Sequence, residues 1–288
     1  MGSLQHARSR RRRVHCRLSA RVLDGNGASR RRMNGVSGYL LLGLVLFFAS
    51  VLHSAAGFAF ALFAIPVLLL GGMQPYEAMS ICAVSVVIHA LISVWRSPTK
   101  PDWRPLLGMA AIAVASQPIG VWILSRIVFL ERAQVCQIFG CVLLGVLIVK
   151  LVLRPEPRDH LHPVWGVFTM IVSGIISGMS GMGGPPIVLW LMAHKWSNDR
   201  IRIGLWTIFA SLAATNLCWL AFRFRAPVWH AMWLGVLFAP IMLLGRLPGT
   251  WIATRLSPAR MRDAATAILL IVALYAILQP ILLPRLGR

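Results

Sequence analysis

The chain has 288 residues, 58% hydrophobic and only 13% charged, with a net charge of +21 and a mean hydropathy of +0.73. A soluble domain carries about 25% charged residues and a disordered chain needs low hydrophobicity, so both classes are excluded. What remains is an all-α polytopic membrane protein, whose apolar stretches of roughly 20 residues span the hydrocarbon.

Residues 1–35 form an Arg-rich tail. Ten arginines (Arg8, Arg10 to Arg13, Arg17, Arg21, Arg30 to Arg32) face one acid, Asp24. Basic charge beside a first span points to the cytoplasmic face of a cell (inner) membrane, held against anionic lipid, and away from a nucleic-acid partner. The same residues also read as an over-extended start ahead of Met33. They are no signal peptide, because the apolar stretch that follows is too long and lacks a small-residue cleavage site.

Eight apolar segments follow: Tyr39–Leu70, Ala78–Trp95, Leu106–Leu124, Gln134–Leu153, Val164–Ala193, Ile203–Phe222, Val228–Thr254 and Ala264–Leu283. The longest connection, Arg154–Pro163, reads as a linker between a membrane repeat at 36–153 and another at 164–288. Two segments are too long for one straight crossing. Tyr39–Leu70 has 32 residues and Val164–Ala193 has 30, about 45 to 48 Å of helix against a core of roughly 30 Å. Each must tilt, fold as a hairpin or break. Glycine marks the place, at Ser54–Gly57 and within Ser177–Pro186. In the second, Gly181, Gly183 and Gly184 permit unusual backbone angles, and Pro185-Pro186 can open a new helix. We read each long segment as a broken single crossing, which makes eight spans, both termini inside and a parallel repeat.

The repeat itself shows as matches at offsets of about 124 to 129 residues. Gly57 falls on Gly181 and Trp95 on Trp219, while Pro101-Asp102-Trp103 falls near Pro227-Val228-Trp229. Gly120-Val121-Trp122-Ile123 falls on Gly249-Thr250-Trp251-Ile252, and Arg126 on Arg255. The last set is the most specific, because four residue types keep one offset. Duplicated halves are frequent among transporters, which bind substrate at the repeat interface.

Few polar residues lie at depth. A break that opens a half-helix leaves free N–H groups and a positive dipole end, an anion site in waiting. Gly174 and Gly178 have the spacing of close helix packing instead. Arg246 lies inside the seventh segment, and its partner at the 129 offset is Gln117. A buried arginine costs at least about 2.5 to 3.5 kcal/mol, so it either pairs with backbone, water or a substrate anion, or snorkels to the interface. His53 and His89 can relay protons or simply bond neighbouring helices. Thr215 and Asn216 read as interhelical glue. The five cysteines read as packing residues, with no metal site.

GIISGMSGMGGPPIVLWL at Gly174–Leu191, Arg200 and Arg202 after it, and the echo HSAAGFAFALFAIPVLLLGG at His53–Gly72 together resemble the sulfite exporter TauE/SafE family of membrane transporters. The resemblance covers about residues 36 to 284 as two four-span halves. It departs from the family's glycine-rich pattern in the first half, which reads Gly57-Phe58-Ala59-Phe60-Ala61. It implies transport of small, often sulfur-containing or organic anions, and adds weight to Arg202 as a binding residue.

The expected protein is a secondary transporter of small anions, with the bilayer as surroundings and a proton or ion as coupling partner. Its substrate-binding residues are expected among Gly57, Gly181, Gly183, Gly184, Pro185, Arg246, Gln117 and Arg202, with His53 and His89 as relay candidates. No cofactor and no catalytic residue is expected. All eight acids lie in the tail, loops or segment ends, which argues against intramembrane acid chemistry or a carboxylate-lined cation path. The rival reading is a membrane-embedded enzyme or accessory factor for lipid-linked substrates, which would need a nucleophile or acid–base pair that the sequence does not display.

Overall fold

The structure is a computed structural model and describes residues 36–56, 59–95, 103–152, 162–255 and 258–282. The tail and most of the linker lie outside the described residues. Among those described, every regular element is a helix: α1 (Val36–Ala56), α2 (Phe60–Gly71), α3 (Pro75–Trp95), α4 (Trp103–Ile127), α5 (Arg132–Val152), α6 (Pro163–Ser180), α7 (Gly184–Met192), α8 (Asn198–Phe224), α9 (Ala226–Leu237), α10 (Ala239–Arg255) and α11 (Pro258–Leu282). Hydrocarbon offers no partner for backbone N–H and C=O groups, so an apolar chain satisfies them within helices. The packing below belongs to the compact unit Gly43–Arg288; the start of α1, Val36–Leu42, falls in another unit.

Six helices are long and apolar enough to cross a membrane (α1, α3, α4, α5, α6 and α8), and a seventh span results if α9 and α10 count as one. The protein is therefore multi-pass. The expected eighth span falls on α11, whose apolar part, Asp263–Gln279, is shorter. Aromatic and aliphatic side chains such as Phe222, Leu247, Trp251 and Ile271 stand exposed on the helices. Such a surface suits lipid and not water.

The segment Val164–Ala193 breaks where the glycines predict, but it does not cross once. α6 ends at Gly181, whose φ of +74° belongs to the left-handed region that glycine tolerates. Three residues later α7 starts and runs back along α6. A Cβ on Gly166, early in α6, would lie 2.9 Å from the Trp190 ring near the end of α7. Close to the turn, the Ser173 hydroxyl donates to the Gly183 carbonyl. The single-crossing expectation fails here, and with it the basis for a parallel repeat: α6 and α7 form a hairpin. Val228–Thr254 is also not one straight helix, since it bends by 49° between α9 and α10. Pro240, in the first turn of α10, has no N–H to continue the α9 ladder.

Two helix pairs meet through glycine. On α6, a Cβ at Gly174 would lie 2.0 Å from the Ala113 carbonyl oxygen of α4, and one at Gly178 would lie 2.3 Å from that of Gln117. In the same seam, a Cβ at Gly120 would lie 2.1 Å from the Ile175 oxygen. These two glycines of α6 serve close packing, as their spacing predicts. The second seam joins α10 to α1, where Cβ atoms at Gly245 and Gly249 would lie 2.5 Å and 2.6 Å from the carbonyl oxygens of Phe47 and Val51.

Candidate functional site

A cavity of about 70 Å³ opens beside the turn of the α6–α7 hairpin. At roughly 15 Å³ per water, it has room for about five waters or one small polyatomic ion. Ser177, Gly181, Gly183 and Gly184 form the hairpin side of its wall. His53 of α1, Ile65 of α2 and Met79 of α3 come from the first half of the chain, and Phe209 and Asn216 come from α8. The cavity thus lies where the hairpin of the second half meets helices of the first.

The backbone supplies fewer donors here than a bare helix start would. Pro185 and Pro186 occupy the first turn of α7 and carry no N–H. The Gly181 N–H is spent on the Ser177 carbonyl at 2.8 Å, and the Met182 N–H reaches the Ser180 hydroxyl at 3.4 Å. Gly183 and Gly184 remain, as N-cap and first residue of α7, and their N–H groups have no intrahelical partner. The helix start thus offers two adjacent donors at its positive end.

Behind Ser177 stands a set of hydrogen bonds. Gln117 is fully buried; its Nε2 donates to the Leu212 carbonyl at 2.8 Å and reaches Ser177 Oγ at 3.5 Å. Its Oε1 accepts from Thr215 Oγ1 at 2.7 Å. Asn216 Nδ2 donates to the Ser177 carbonyl at 3.2 Å. Thr215 and Asn216 do bond between helices, as the sequence suggests.

Behind His53 the arrangement differs. The rings of His53 and His89 meet edge to face at 4.6 Å, both buried, and the Arg246 guanidinium is close enough for its charge to act on both. His53 Nδ1, both ring nitrogens of His89, and the hydroxyls of Ser50, Ser54 and Ser93 are buried without a hydrogen-bond partner in the structure.

The expected residues therefore separate into groups. Gly181, Gly183, Gly184 and His53 line the cavity, while Gln117 backs Ser177, and His89 and Arg246 stand behind His53. Arg246 aims inward and has one guanidinium nitrogen, Nη1, shut off from solvent. Pro185 is buried and shapes the helix start without joining the lining. Arg202 is not part of the site: it is exposed, over the Trp206 ring at 5.1 Å. Gly57 lies outside the described residues. The sequence reading took Asn216 only for glue and did not assign Ser177 to the lining. A polar residue deep in an apolar stretch was the available signal for both. Met79 and Phe209 carry no such signal, because any apolar helix offers their like.

A model of the family described as sulfite exporter TauE/SafE matches residues 42–276. No curated protein and no solved structure matches the chain.

Proposed function

The chain belongs to the sulfite exporter TauE/SafE family, a family of membrane transporters, and from that premise we propose that it is a secondary transporter of small anions in the cell (inner) membrane. The candidate substrates are sulfite, related sulfur oxyanions, organosulfonates and small carboxylates. The observation that carries this reading is the cavity at the hairpin turn, where Gly183 and Gly184, at the start of α7, meet His53, Ser177 and Asn216 in an otherwise apolar wall. Two donors at a helix start suit one oxyanion. The half-buried charge of Arg246, behind His53, adds a field of the right sign, and Gln117 keeps Ser177 in place. His53, between the cavity and His89, is where a coupling proton would enter. Among the described residues the cavity wall holds no carboxylate, which favours this reading over an intramembrane enzyme.

The halves are read as homologous repeats with the substrate at their interface. The offsets support this at the level of contacts. Gly120 approaches Ile175 as Gly249 approaches Val51, with residue differences of 129 and 124. Arg126 lies over Trp122 at 5.3 Å and Arg255 over Trp251 at 5.2 Å. One residue before each arginine, Ser125 and Thr254 donate to the carbonyls of the same tryptophans, both at 2.7 Å.

The test is flux in proteoliposomes across sulfite, sulfate, thiosulfate and small carboxylates. Gly184→Val is the informative variant, because a Cβ there meets only the Phe209 ring, at 3.2 Å. It narrows the cavity without prying the hairpin apart. Gly183→Val would confuse the matter, since its Cβ would lie 2.2 Å from the Ser173 carbonyl. Anion flux in the wild type that is lost in a folded Gly184→Val protein is the expected result. Wild-type flux in that variant would remove the cavity from the transport path.

A further inference from the structure

We infer that the cavity is built for a monoanion that also carries a hydrogen-bond donor, an acid O–H or an N–H, in preference to an ion that bears only acceptors. This rests on the anion-transport reading above and specifies the chemistry of the same site.

The argument turns on Asn216. It is 2% exposed, lines the cavity and belongs to α8. Its Nδ2 is committed to the Ser177 carbonyl at 3.2 Å. That bond fixes the orientation of the amide: reversed, Oδ1 would face the Ser177 oxygen, acceptor against acceptor. Oδ1 is left buried with no hydrogen-bond partner in the protein. A buried acceptor left unmet costs about 1 to 3 kcal/mol, so an occupant that donates to it is favoured and one that presents only lone pairs is opposed.

Apart from His53, whose ring can donate or accept according to its tautomer, the other polar groups of the wall ask for the opposite. Gly183 and Gly184 offer N–H donors. Ser177 Oγ receives Gln117 Nε2 at 3.5 Å, which leaves its own proton for a ligand. The wall is thus an anion cradle with a fixed acceptor, Asn216 Oδ1, set into it. A singly protonated oxyanion of the hydrogensulfite type satisfies both demands, and a cavity of about 70 Å³ accommodates it. The acceptor is peculiar to the second half. At the 124 offset, Asn216 corresponds to Ile92 of α3, which has no polar atom.

Methanesulfonate and sulfamate separate the two requirements. Both are tetrahedral sulfonyl monoanions of nearly equal size, but only sulfamate has N–H donors. Calorimetric titration of the purified full chain in detergent should show sulfamate binding about tenfold more tightly, equivalent to about 1.4 kcal/mol. In Asn216→Leu the preference should fall to within about twofold, because the acceptor has gone; the lost bond from Nδ2 to the Ser177 carbonyl should weaken both ions alike and leave their ratio untouched. Should that variant fail to fold, hydroxymethanesulfonate against ethanesulfonate on the wild type repeats the comparison with an O–H donor. Equal affinities within either wild-type pair would overturn the inference and leave the anion site standing. Binding of none of the four would overturn both the inference and the reading beneath it.

Discussion

The α4–α6 seam and the α10–α1 seam are built alike and finished differently. In both, glycine brings one helix onto the carbonyl row of another, at Gly120 against Ile175 and at Gly249 against Val51. Beside the first, Gln117, Ser177 and Thr215 use one another and the Leu212 carbonyl, and what is left over faces the cavity side: the Ser177 proton and Asn216 Oδ1. Beside the second, the corresponding positions hold Arg246 and His53, with His89 against them and the hydroxyls of Ser50, Ser54 and Ser93 without partners. A saturated network holds a shape and reacts weakly to its surroundings. A cationic network with unused polar atoms responds to whatever ion or proton arrives, because in low dielectric its charge is felt strongly. The same helix packing thus yields one mostly paired, structural face, open at Asn216 Oδ1, and one that is expected to be the more responsive.

The comparison can be broken most forcefully at the glycines. Gly120→Ala and Gly249→Ala both force backbone apart, with Cβ atoms 2.1 Å and 2.6 Å from carbonyl oxygens. Each should cost about 1 to 3 kcal/mol, the range for overpacking, with Gly120 the more damaging. Thermal unfolding in detergent reads the difference, and an unchanged midpoint for Gly249→Ala would show that the second seam is not packed like the first.

Exchanging the polar chemistry sharpens the contrast at a smaller scale. Arg246→Gln gives the responsive face the residue of the structural one. Anion affinity should fall about tenfold, or about 1.4 kcal/mol, with Arg246→Lys in between, since lysine keeps the charge and loses the planar fork. Gln117→Leu should chiefly lower the melting point, because it strips the Thr215 hydroxyl and the Leu212 carbonyl of a partner. Its effect on affinity should be smaller than that of Arg246→Gln. Calorimetric binding beside melting curves decides the matter, and the reverse pattern would dissolve the distinction between the two faces. Wild-type affinity in both Arg246 variants would restore the snorkelling alternative.

The smallest test concerns the matched arginines. Removing the Arg126–Trp122 or Arg255–Trp251 contact through Arg126→Gln or Arg255→Gln should cost about 0.5 to 1 kcal/mol each, the worth of an exposed cation–π pair. Similar shifts in melting midpoint are expected. A shift in one alone would mean that the two matched contacts share a geometry and not an energy.

Much of this was legible in the residues. An apolar composition with few charges leaves helices in a bilayer as the only way to satisfy the backbone, so the fold class follows without tertiary information. The break at Gly181 was equally local: glycine's tolerance of a positive φ and the two prolines are properties of the residues themselves. So were the duplicated Gly-x-Trp-Ile runs, whose arginines and tryptophans pair at nearly the same distance in both halves. The direction of the chain after the break was not local. Whether α7 continues α6 or returns along it depends on Trp190 finding Gly166 and on Ser173 finding the Gly183 carbonyl, contacts between residues that hydropathy does not relate. The bend at Phe238 was passed over, although Pro240 was in plain view, because an apolar stretch reads the same straight or bent. The roles of the polar residues were the least legible. Arg246 and Arg202 are both arginines near apolar runs; one turns inward beside two histidines and the other lies over Trp206 in the open. Sequence determined which groups this protein possesses and that they lie in a membrane. Tertiary structure alone decided which of them share a cavity, because burial, and with it the strength of every charge and hydrogen bond, is a property of neighbours and not of residues.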